Sequence, residues 1–528
     1  MPIKSYLKRI EFILPLVISF LIGAIFLIFL LNFITKLNGG KFIYALDDAY
    51  IHLAVAKNFA LYKVWGVTKY QFSSSTSSLL WPLFLSLLMK IFGVSQYYPL
   101  FINIALFFAI LLLSYLILKS HHLPPWLILV ALLLIIFVTP LPLLVIYGLE
   151  HLLQIFLSLV FIYFLNKIVI EDKKLHYERT FLYLTSLFLI STRYDSFLII
   201  IIGTFSLLLK RKFKEAFLVL AFSFLPIIIY GLISIQNGWQ FFPRSVMLKS
   251  IRLINFKEIF QSRFRKWILS FLFLYLLLIF LRHRKTIISL PHSLFNIFYC
   301  LIFLFFAIFV SLLHSRYEAY MITLGILNLI ILFFHSSAFE LIKEKYLKTI
   351  IVACMILLII IRVPWSVVNY RRASLSIYLQ PYQMARFLAR YYPSKTIGIN
   401  DIGCVGFFTD NNFIDFFGLA SINEDLSAGY NINDEKILAY KRQVLENIVQ
   451  KNHLEIIIIS TECFEKVIPS NWILVAKWFN PLNLKEVLGS STISFYATKI
   501  SDARLLKERL IEFEKELPPP IEVSYYFN

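Results

Sequence analysis

Long apolar runs separated by short polar breaks fill the first two-thirds of the chain. They fall near residues 12–36, 97–118, 125–147, 149–169, 180–192, 195–209, 215–235, 266–281, 295–313, 317–334 and 349–363. An apolar run of ~20 residues matches one membrane crossing. The pattern therefore predicts a polytopic α-helical membrane protein with ~11 transmembrane helices plus interfacial helices. A further apolar stretch, 77–93, contains Pro82 and is about 17 residues long, so it is expected to lie in the interface or to re-enter rather than to span. The pattern changes from about residue 378. A helix over 379–391, a short strand over 396–400, an extended segment over 413–418, a polar helix over 434–451 and a buried strand over 454–460 predict a small C-terminal α/β domain. The division expected is residues 1–365 as the membrane module, with residues 37–96 as its first external loop, and 366–528 as the C-terminal domain.

Composition agrees with this division. Of 528 residues, 59% are hydrophobic and only 16% are charged, with 53 Phe. A soluble globular chain is nearer half apolar and one-quarter charged. The net charge is +20, and it belongs to the membrane half: residues 364–528 hold 17 Lys+Arg against 18 Asp+Glu, the preceding residues 34 against 13. The basic residues stand in short clusters between apolar runs, not on a basic face, so nucleic acid is not an expected partner. Clusters at Lys119, Lys167–Arg179, Lys210–Lys214, Arg282–Lys285 and Lys343–Lys348 alternate with breaks of different character. The positive-inside rule places these clusters and the N-terminus in the cytoplasm and the C-terminal domain on the other side. The N-terminal run, preceded by Lys4, Lys8 and Arg9, reads as an uncleaved first span. Cys300 and Cys354 read as small buried hydrophobes, whereas Cys404 and Cys463 are able to pair if their domain lies in an oxidising compartment.

The breaks assigned to the outer side carry the unusual residues. Asp47 and Asp48 follow the first apolar run in DDAYIHLAVAKNFA. Neighbouring helical residues point ~100° apart, so only one aspartate faces a given site, and Asp48 shares a face with His52. A hydroxyl nucleophile needs a base within hydrogen-bond reach. A carboxylate here meets that need, although two aspartates at a helix start also suit simple capping. Glu150 stands in YGLEH between two runs. Arg193 and Asp195 stand in STRYDS, Arg244 and Lys249 in FFPRSVMLKS, and Arg316 in HSRYEAY. Arginines suit a phosphate leaving group through bidentate contact; each taken singly also suits an interfacial cation. Asp401, Asp410 and Asp415 lie in the C-terminal segment NDIGCVGFFTDNNFIDFFGLAS, where Asp and Asn beside Gly also make turns.

These motifs, taken in order, resemble the GT-C superfamily of polyprenyl-phosphate-sugar-dependent glycosyltransferases, and within it the bacterial arabinofuranosyltransferase and GT39-like branch. The likeness runs through Asp47–Ile51, Thr76–Trp81, Tyr147–His151, Thr192–Ser196, Pro243…Lys249, Arg316–Tyr317 and Asp401–Gly403. It departs where Tyr147, His151, Tyr194–Ser196 and Arg244 replace the residues usual in that branch. The resemblance implies an extracytoplasmic, inverting sugar transfer in the bacterial cytoplasmic membrane. The donor would be a polyprenyl-phosphate-linked sugar, and the acceptor a glycan, lipid or protein hydroxyl. Asp47 and Asp48 would be catalytic, with Asp47 the first choice as base. Arg193, Arg244, Lys249 and Arg316 would bind the donor phosphate, and Tyr50, His52, Thr76, Glu150 and Asp195 the substrates. No cofactor is expected; a divalent cation held by Asp47, Asp48, His52 and Glu150 is the alternative. Other readings are a protein O-mannosyltransferase-like or lipid A-modifying enzyme of the same superfamily. Outside enzymes, a secondary transporter would use Asp47 and Asp48 as a proton relay, against which stand the loop position of the acids and the absence of a visible repeat.

Overall fold

A computed structural model describes residues 2–170, 176–250, 316–334, 345–421, 434–482 and 490–527. The apolar runs form helices: α1 (Pro2–Leu37), α4 (Tyr98–Ser120), α5 (Pro125–Val138), α6 (Leu141–Tyr147), α7 (His151–Ile170), α8 (His176–Thr192), α9 (Phe197–Leu209) and α10 (Phe213–Gln236). Between α1 and α4 lie α2 (Asp47–Tyr62) and α3 (Leu80–Phe92); α11 (Arg244–Ser250) follows α10. Two more helices, Ala319–Phe334 and Lys345–Leu379, complete the described membrane module. Five segments among the described residues are long and apolar enough to cross a membrane: Glu11–Leu37, Tyr98–Ser120, Pro125–Tyr147, His151–Val169 and Phe213–Gln236. The chain is a multi-pass membrane protein. The expected runs 266–281 and 295–313 lie outside the described residues.

α3 rises only about 20 Å over its length, short of a ~30 Å hydrocarbon core, which fits its expected non-spanning role. It packs along α2, and the indole of Trp81 donates to the carbonyl of Gly148 at 3.3 Å. The run 125–147 is broken between α5 and α6 at Thr139–Pro140, where a proline cannot continue the hydrogen-bond ladder. The final helix, Lys345–Leu379, runs unbroken across the boundary expected at 365/366, so the membrane module and the C-terminal domain share one rod.

Polar breaks at one end of the bundle meet one another. Leu79 N–H donates to Ser191 O, Arg244 N–H to Ser74 O, Tyr320 Oη to Asp195 O and Tyr370 Oη to Ile146 O. Among the described residues, the basic loops at Lys167–Arg179 and Lys210–Glu215 lie at the other end. Lys167 pairs with Glu178 and Arg179 with Glu215. Lys167 stands 17 residues along α7 from Glu150, or about 25 Å of helix rise. Alternation of the two loop classes is therefore a property of the bundle itself.

The C-terminal domain is a six-stranded mixed sheet in the order β2-β1-β3-β5-β4-β6. β1 (Thr396–Ile399) runs parallel to β2 (Asn412–Asp415) and β3 (Ile456–Ser460), matching the expected alternation of strand and helix. β5 (Thr492–Ala497), β4 (Ile473–Phe479) and β6 (Glu522–Tyr525) add an antiparallel half. The helix Ile500–Glu514 packs on β4 and β5, with Phe513 stacked on Trp478 at 6.0 Å. Arg386 and Arg390 of the helix Pro381–Tyr391 pair with Glu516. Cys404 and Cys463 are both free thiols.

The turn at Gly148 fixes the first loop against the bundle. Its φ is +71°, and a Cβ there would stand 2.4 Å from the Tyr44 ring. Gly148→Ala is expected to destabilise the protein by about 2–4 kcal/mol, from left-handed backbone strain plus a buried clash. Thermal unfolding in detergent measures it; an unchanged midpoint contradicts it.

Candidate active site

α2 has two working faces, set by helical spacing. Asp47, Tyr50, Ala54 and Lys57 recur at intervals of three and four and meet the C-terminal domain. Asp48, Ile51, His52 and Val55 turn the other way.

The first face grips one short helix, Gly403–Phe408, at both ends. Asp47 Oδ2 accepts from Gly403 N–H at 2.7 Å and Oδ1 from Cys404 N–H at 2.9 Å. At the far end Lys57 Nζ donates to Phe407 O and Thr409 O, each at 2.9 Å, and stands 3.5 Å from Asp410. An anion on the amide end and a cation on the carbonyl end both match the helix's own polarity. Glycines permit the approach: a Cβ on Gly403 would lie 2.6 Å from the Asp47 carboxyl carbon, and one on Gly406 3.3 Å from Ala54 Cβ. Tyr50, expected to bind substrate, is instead fully buried between these elements. Its hydroxyl accepts from Tyr44 N–H, and its ring packs on Phe407 and Phe408.

Burial raises the Asp47 carboxyl to about 6 despite its two amide donors. Asp401, at the carboxyl end of β1, is raised to about 8 by burial and by the nearby Asp47 charge. Asn400 and Ser460 donate to it. Asp415 is raised to about 6 by burial, opposed by amide donors from Ala420, Phe417 and Leu419 and by Arg244. Asp47 thus occupies the crevice beyond the parallel strands where ligands of open α/β sheets sit.

The second face opens on a pocket. Asp48 and His52 line it with Ile51, Ser75, Ser77, Ser245 and Leu419. Asp48 Oδ2 stands 3.3 Å from Arg316 Nη1. His52 Nε2 lies 3.5 Å from Glu150 Oε2. Glu150 Oε1 accepts from Arg193 Nη1 at 2.9 Å, and Arg193 Nε donates to Asp195 Oδ1 at 3.0 Å. Gln154 donates to the same carboxylate. Both guanidiniums, Arg193 at 4.9 Å and Arg316 at 4.8 Å, lie over the Tyr317 ring. Opposed carboxylates and one shared aromatic ring let two cations stand close together beside the pocket.

The structure thus unites Asp48, His52, Glu150, Arg193, Asp195 and Arg316. Arg244 is buried next to the pocket residue Ser245, and its charge favours the ionised form of Asp415. Thr76 is wholly buried beside the pocket serines, and its hydroxyl has no hydrogen-bond partner among the described residues. Lys249 falls in α11; its side chain lies outside the described residues. The four groups weighed as a cation site do not converge. Asp47 faces backbone amides, Asp48 faces Arg316, and His52 faces Glu150. Among the described residues no three His, Cys, Asp or Glu form a metal-binding group. Sequence reasoning missed Lys57, Ser75, Ser77, Ser245 and Leu419. Lys57 carried a signal, since it stands on the Asp47 face ten residues along α2.

Residues 369–496 match a family model described as a domain of unknown function, DUF8728. No curated protein sequence matches the chain. Solved structures do. The apo oligosaccharyltransferase of Archaeoglobus fulgidus aligns over 97% of this chain and 79% of its own, with TM-score 0.53 and 12% identity. ArnT from Cupriavidus metallidurans, solved bound to undecaprenyl phosphate, aligns over 91% of this chain and 98% of its own, with TM-score 0.53 and 10% identity.

The chain has the GT-C fold.

A third neighbour is the Archaeoglobus enzyme tethered to an acceptor peptide, with TM-score 0.51 and 11% identity over 98% of this chain and 76% of its own. All three matches cover more than nine-tenths of this chain, membrane module and C-terminal domain together.

Two outcomes follow for the seam that Asp47 and Lys57 form. Lys57→Met strands two carbonyls and is expected to weaken the docking of residues 403–409 by about 1.5–3 kcal/mol. Hydrogen exchange of those amides reads the change; unaltered protection contradicts it. Carboxyls held above their ordinary value keep protons in the folded protein after the unfolded chain has released them. Stability therefore falls as pH rises from about 4 through about 8. The thermal midpoint should drop between pH 5 and pH 9, and Asp401→Asn should flatten the drop; a midpoint that rises over this interval contradicts the assignment.

Proposed function

We propose that the chain is a membrane glycosyltransferase. It moves a sugar from a polyprenyl-phosphate donor to an acceptor hydroxyl of a glycan, lipid or protein, with inversion at the anomeric carbon. The observation that carries this reading is the Asp48–Arg316 pair at the pocket, on a GT-C fold. A base for the acceptor proton and a cation for the leaving phosphate stand side by side there.

Asp48 is the base in this reading, and Asp47 the residue that docks the C-terminal domain. Asp47 spends both oxygens on backbone amides, whereas Asp48 lines the pocket. Asp48 takes the acceptor proton as the oxygen attacks the anomeric carbon. The bond from that carbon to the phosphate oxygen breaks, and polyprenyl phosphate leaves towards Arg316. A guanidinium suits that charge because its planar donors match phosphate oxygens. Arg193 supports it through Tyr317, held in place by Glu150 and Asp195. In this reading protein cations carry the charge of the leaving phosphate; among the described residues no three His, Cys, Asp or Glu stand together as a metal-binding group.

Orientation follows from the two ends of the bundle. With the basic loops in the cytoplasm, the N-terminus is cytoplasmic. The pocket and C-terminal domain then lie on the outer side of a bacterial cytoplasmic membrane.

The purified protein in nanodiscs should release polyprenyl phosphate from a panel of polyprenyl-phosphate sugars. Asp48→Asn should lower the rate by roughly 10²- to 10⁴-fold, and Asp47→Asn by less, through docking. Full turnover by Asp48→Asn, or no release from any donor by the wild type, sinks the reading.

A further inference from the structure

The break between α5 and α6 strands a carbonyl inside the membrane module. Val138 ends α5, and in a continuous helix its carbonyl would accept from the residue four further on. That residue is Pro142, which has no N–H. Arg362 of the helix Lys345–Leu379 takes its place, its Nε donating to Val138 O at 2.7 Å. At the other end of α6, Ile146 O accepts from Tyr370 Oη, and the Tyr147 and Tyr370 rings meet at 5.0 Å. Val138 to Ile146 and Arg362 to Tyr370 are both steps of eight residues, about 12 Å of helix rise. The last helix therefore grips α6 at both ends, just before the turn that carries Gly148 and Glu150. Arg362 also has a charged partner: its Nη2 donates to Glu318 Oε1 at 3.0 Å. Glu318 stands two residues after Arg316, and its carbonyl accepts from Ile322 N–H at the start of the helix Ala319–Phe334.

We infer that Arg362 is a positioning residue for Arg316. By engaging Glu318 and the Val138 carbonyl together, it registers residues 316–318 on α6 and leaves the Arg316 guanidinium to the pocket. This inference rests on the proposed glycosyl transfer, in which Arg316 receives the leaving phosphate. An ion pair between two apolar runs is costly and calls for a reason. Glu318 is 9% exposed, and a buried carboxylate whose cation is removed has to find another. The cation nearest to it in sequence is Arg316, whose Nη1 stands 3.3 Å from Asp48 at the pocket. Without Arg362, Glu318 competes with Asp48 and the leaving phosphate for that guanidinium. Neutral contacts hold the rest of the turn. Tyr320 Oη donates to Asp195 O at 3.4 Å, and Thr323 Oγ1 lies 3.2 Å from Thr139 Oγ1. They locate the helix Ala319–Phe334 but leave the charge of Glu318 to Arg362. The same rod continues to Ser374, which donates to Ile43 O, and on into the C-terminal domain, so one helix braces both sides of the site.

The test uses the full chain in nanodiscs with polyprenyl-phosphate sugars as donors. Arg362→Met should lower kcat/KM roughly 10- to 100-fold, as misplacement from a change remote from the chemistry does. Glu318→Gln/Arg362→Met, which removes both charges, should recover to within about fivefold of wild type. The deciding comparison is made in an Arg316→Lys background. There Arg362→Met should cost less than about twofold further, because residues that act through one group are not additive. The same loss in both backgrounds marks a general packing defect and overturns the proposal, as does Arg362→Met within about twofold of wild type. Where Arg362→Met does not fold, Arg362→Lys is read the same way, with a smaller loss that disappears in the Arg316→Lys background. If the wild type turns over no donor, the glycosyl-transfer reading fails. Positioning is then read by hydrogen exchange, as it is where Arg316→Lys is too slow to measure. Arg362→Met or Arg362→Lys should raise exchange of residues 142–150 and 316–322 and leave 403–409 unchanged. No rise at those two segments, or an equal rise at 403–409, overturns it.

Discussion

The rest of the site depends on the grip of α2 on the helix Gly403–Phe408. Asp47 holds the amide end of that helix and Lys57 the carbonyl end, so two buried charges meet backbone groups that would otherwise lack partners. Charged hydrogen bonds of this kind are roughly twice as strong as neutral ones, and removing one partner leaves the other buried and unmet. The grip fixes the rotation of α2 about its axis. Once Asp47 is committed to the C-terminal domain, the ~100° between neighbouring helical residues leaves Asp48 on the pocket side. The direction in which Asp48 faces is thus a geometric consequence of a docking contact.

The same contact joins two parts of the protein whose energetics differ. The membrane module is held by apolar packing and close helix contacts. The C-terminal domain has its own sheet and aromatic core around Phe387, Trp478, Phe495 and Phe513. The helix Lys345–Leu379 connects them covalently, and the α2 seam sets their angle. Asp401 and Asp415, raised by burial at the carboxyl ends of β1 and β2, add a dependence on pH beside this seam. Across the pocket the charges are balanced differently. Arg193 and Arg316 share Tyr317 and are flanked by three carboxylates, Glu150, Asp195 and Asp48, so both guanidiniums are held next to the pocket with compensating charge.

Much of this was legible in the chain, and the reasons are specific. Apolar length identified the helices, and charge alternation identified which breaks would meet. That is why Asp48, Glu150, Arg193 and Arg316, singled out from the sequence, lie at one end of the bundle in the structure. The parallel strands β1 and β3 were readable as short apolar runs next to helices. β4, β5 and β6 were not, because their residues alternate irregularly and their pairing is long-range. The order of preference between Asp47 and Asp48 was also hidden. Sequence spacing says that two neighbours diverge, but only the position of Gly403, 356 residues away, says which of them is occupied. Ser245 and Leu419 escaped for the same reason: each is ordinary in its own segment and becomes part of a site only through tertiary contact.

The most direct test of the account is an experimental map of the full chain in nanodiscs with polyprenyl phosphate bound. The account predicts phosphate density within hydrogen-bond reach of the Arg316 guanidinium and next to Asp48, with Asp47 still on the Gly403 and Cys404 amides. Phosphate on those amides, with Asp47 turned into the pocket, would contradict it.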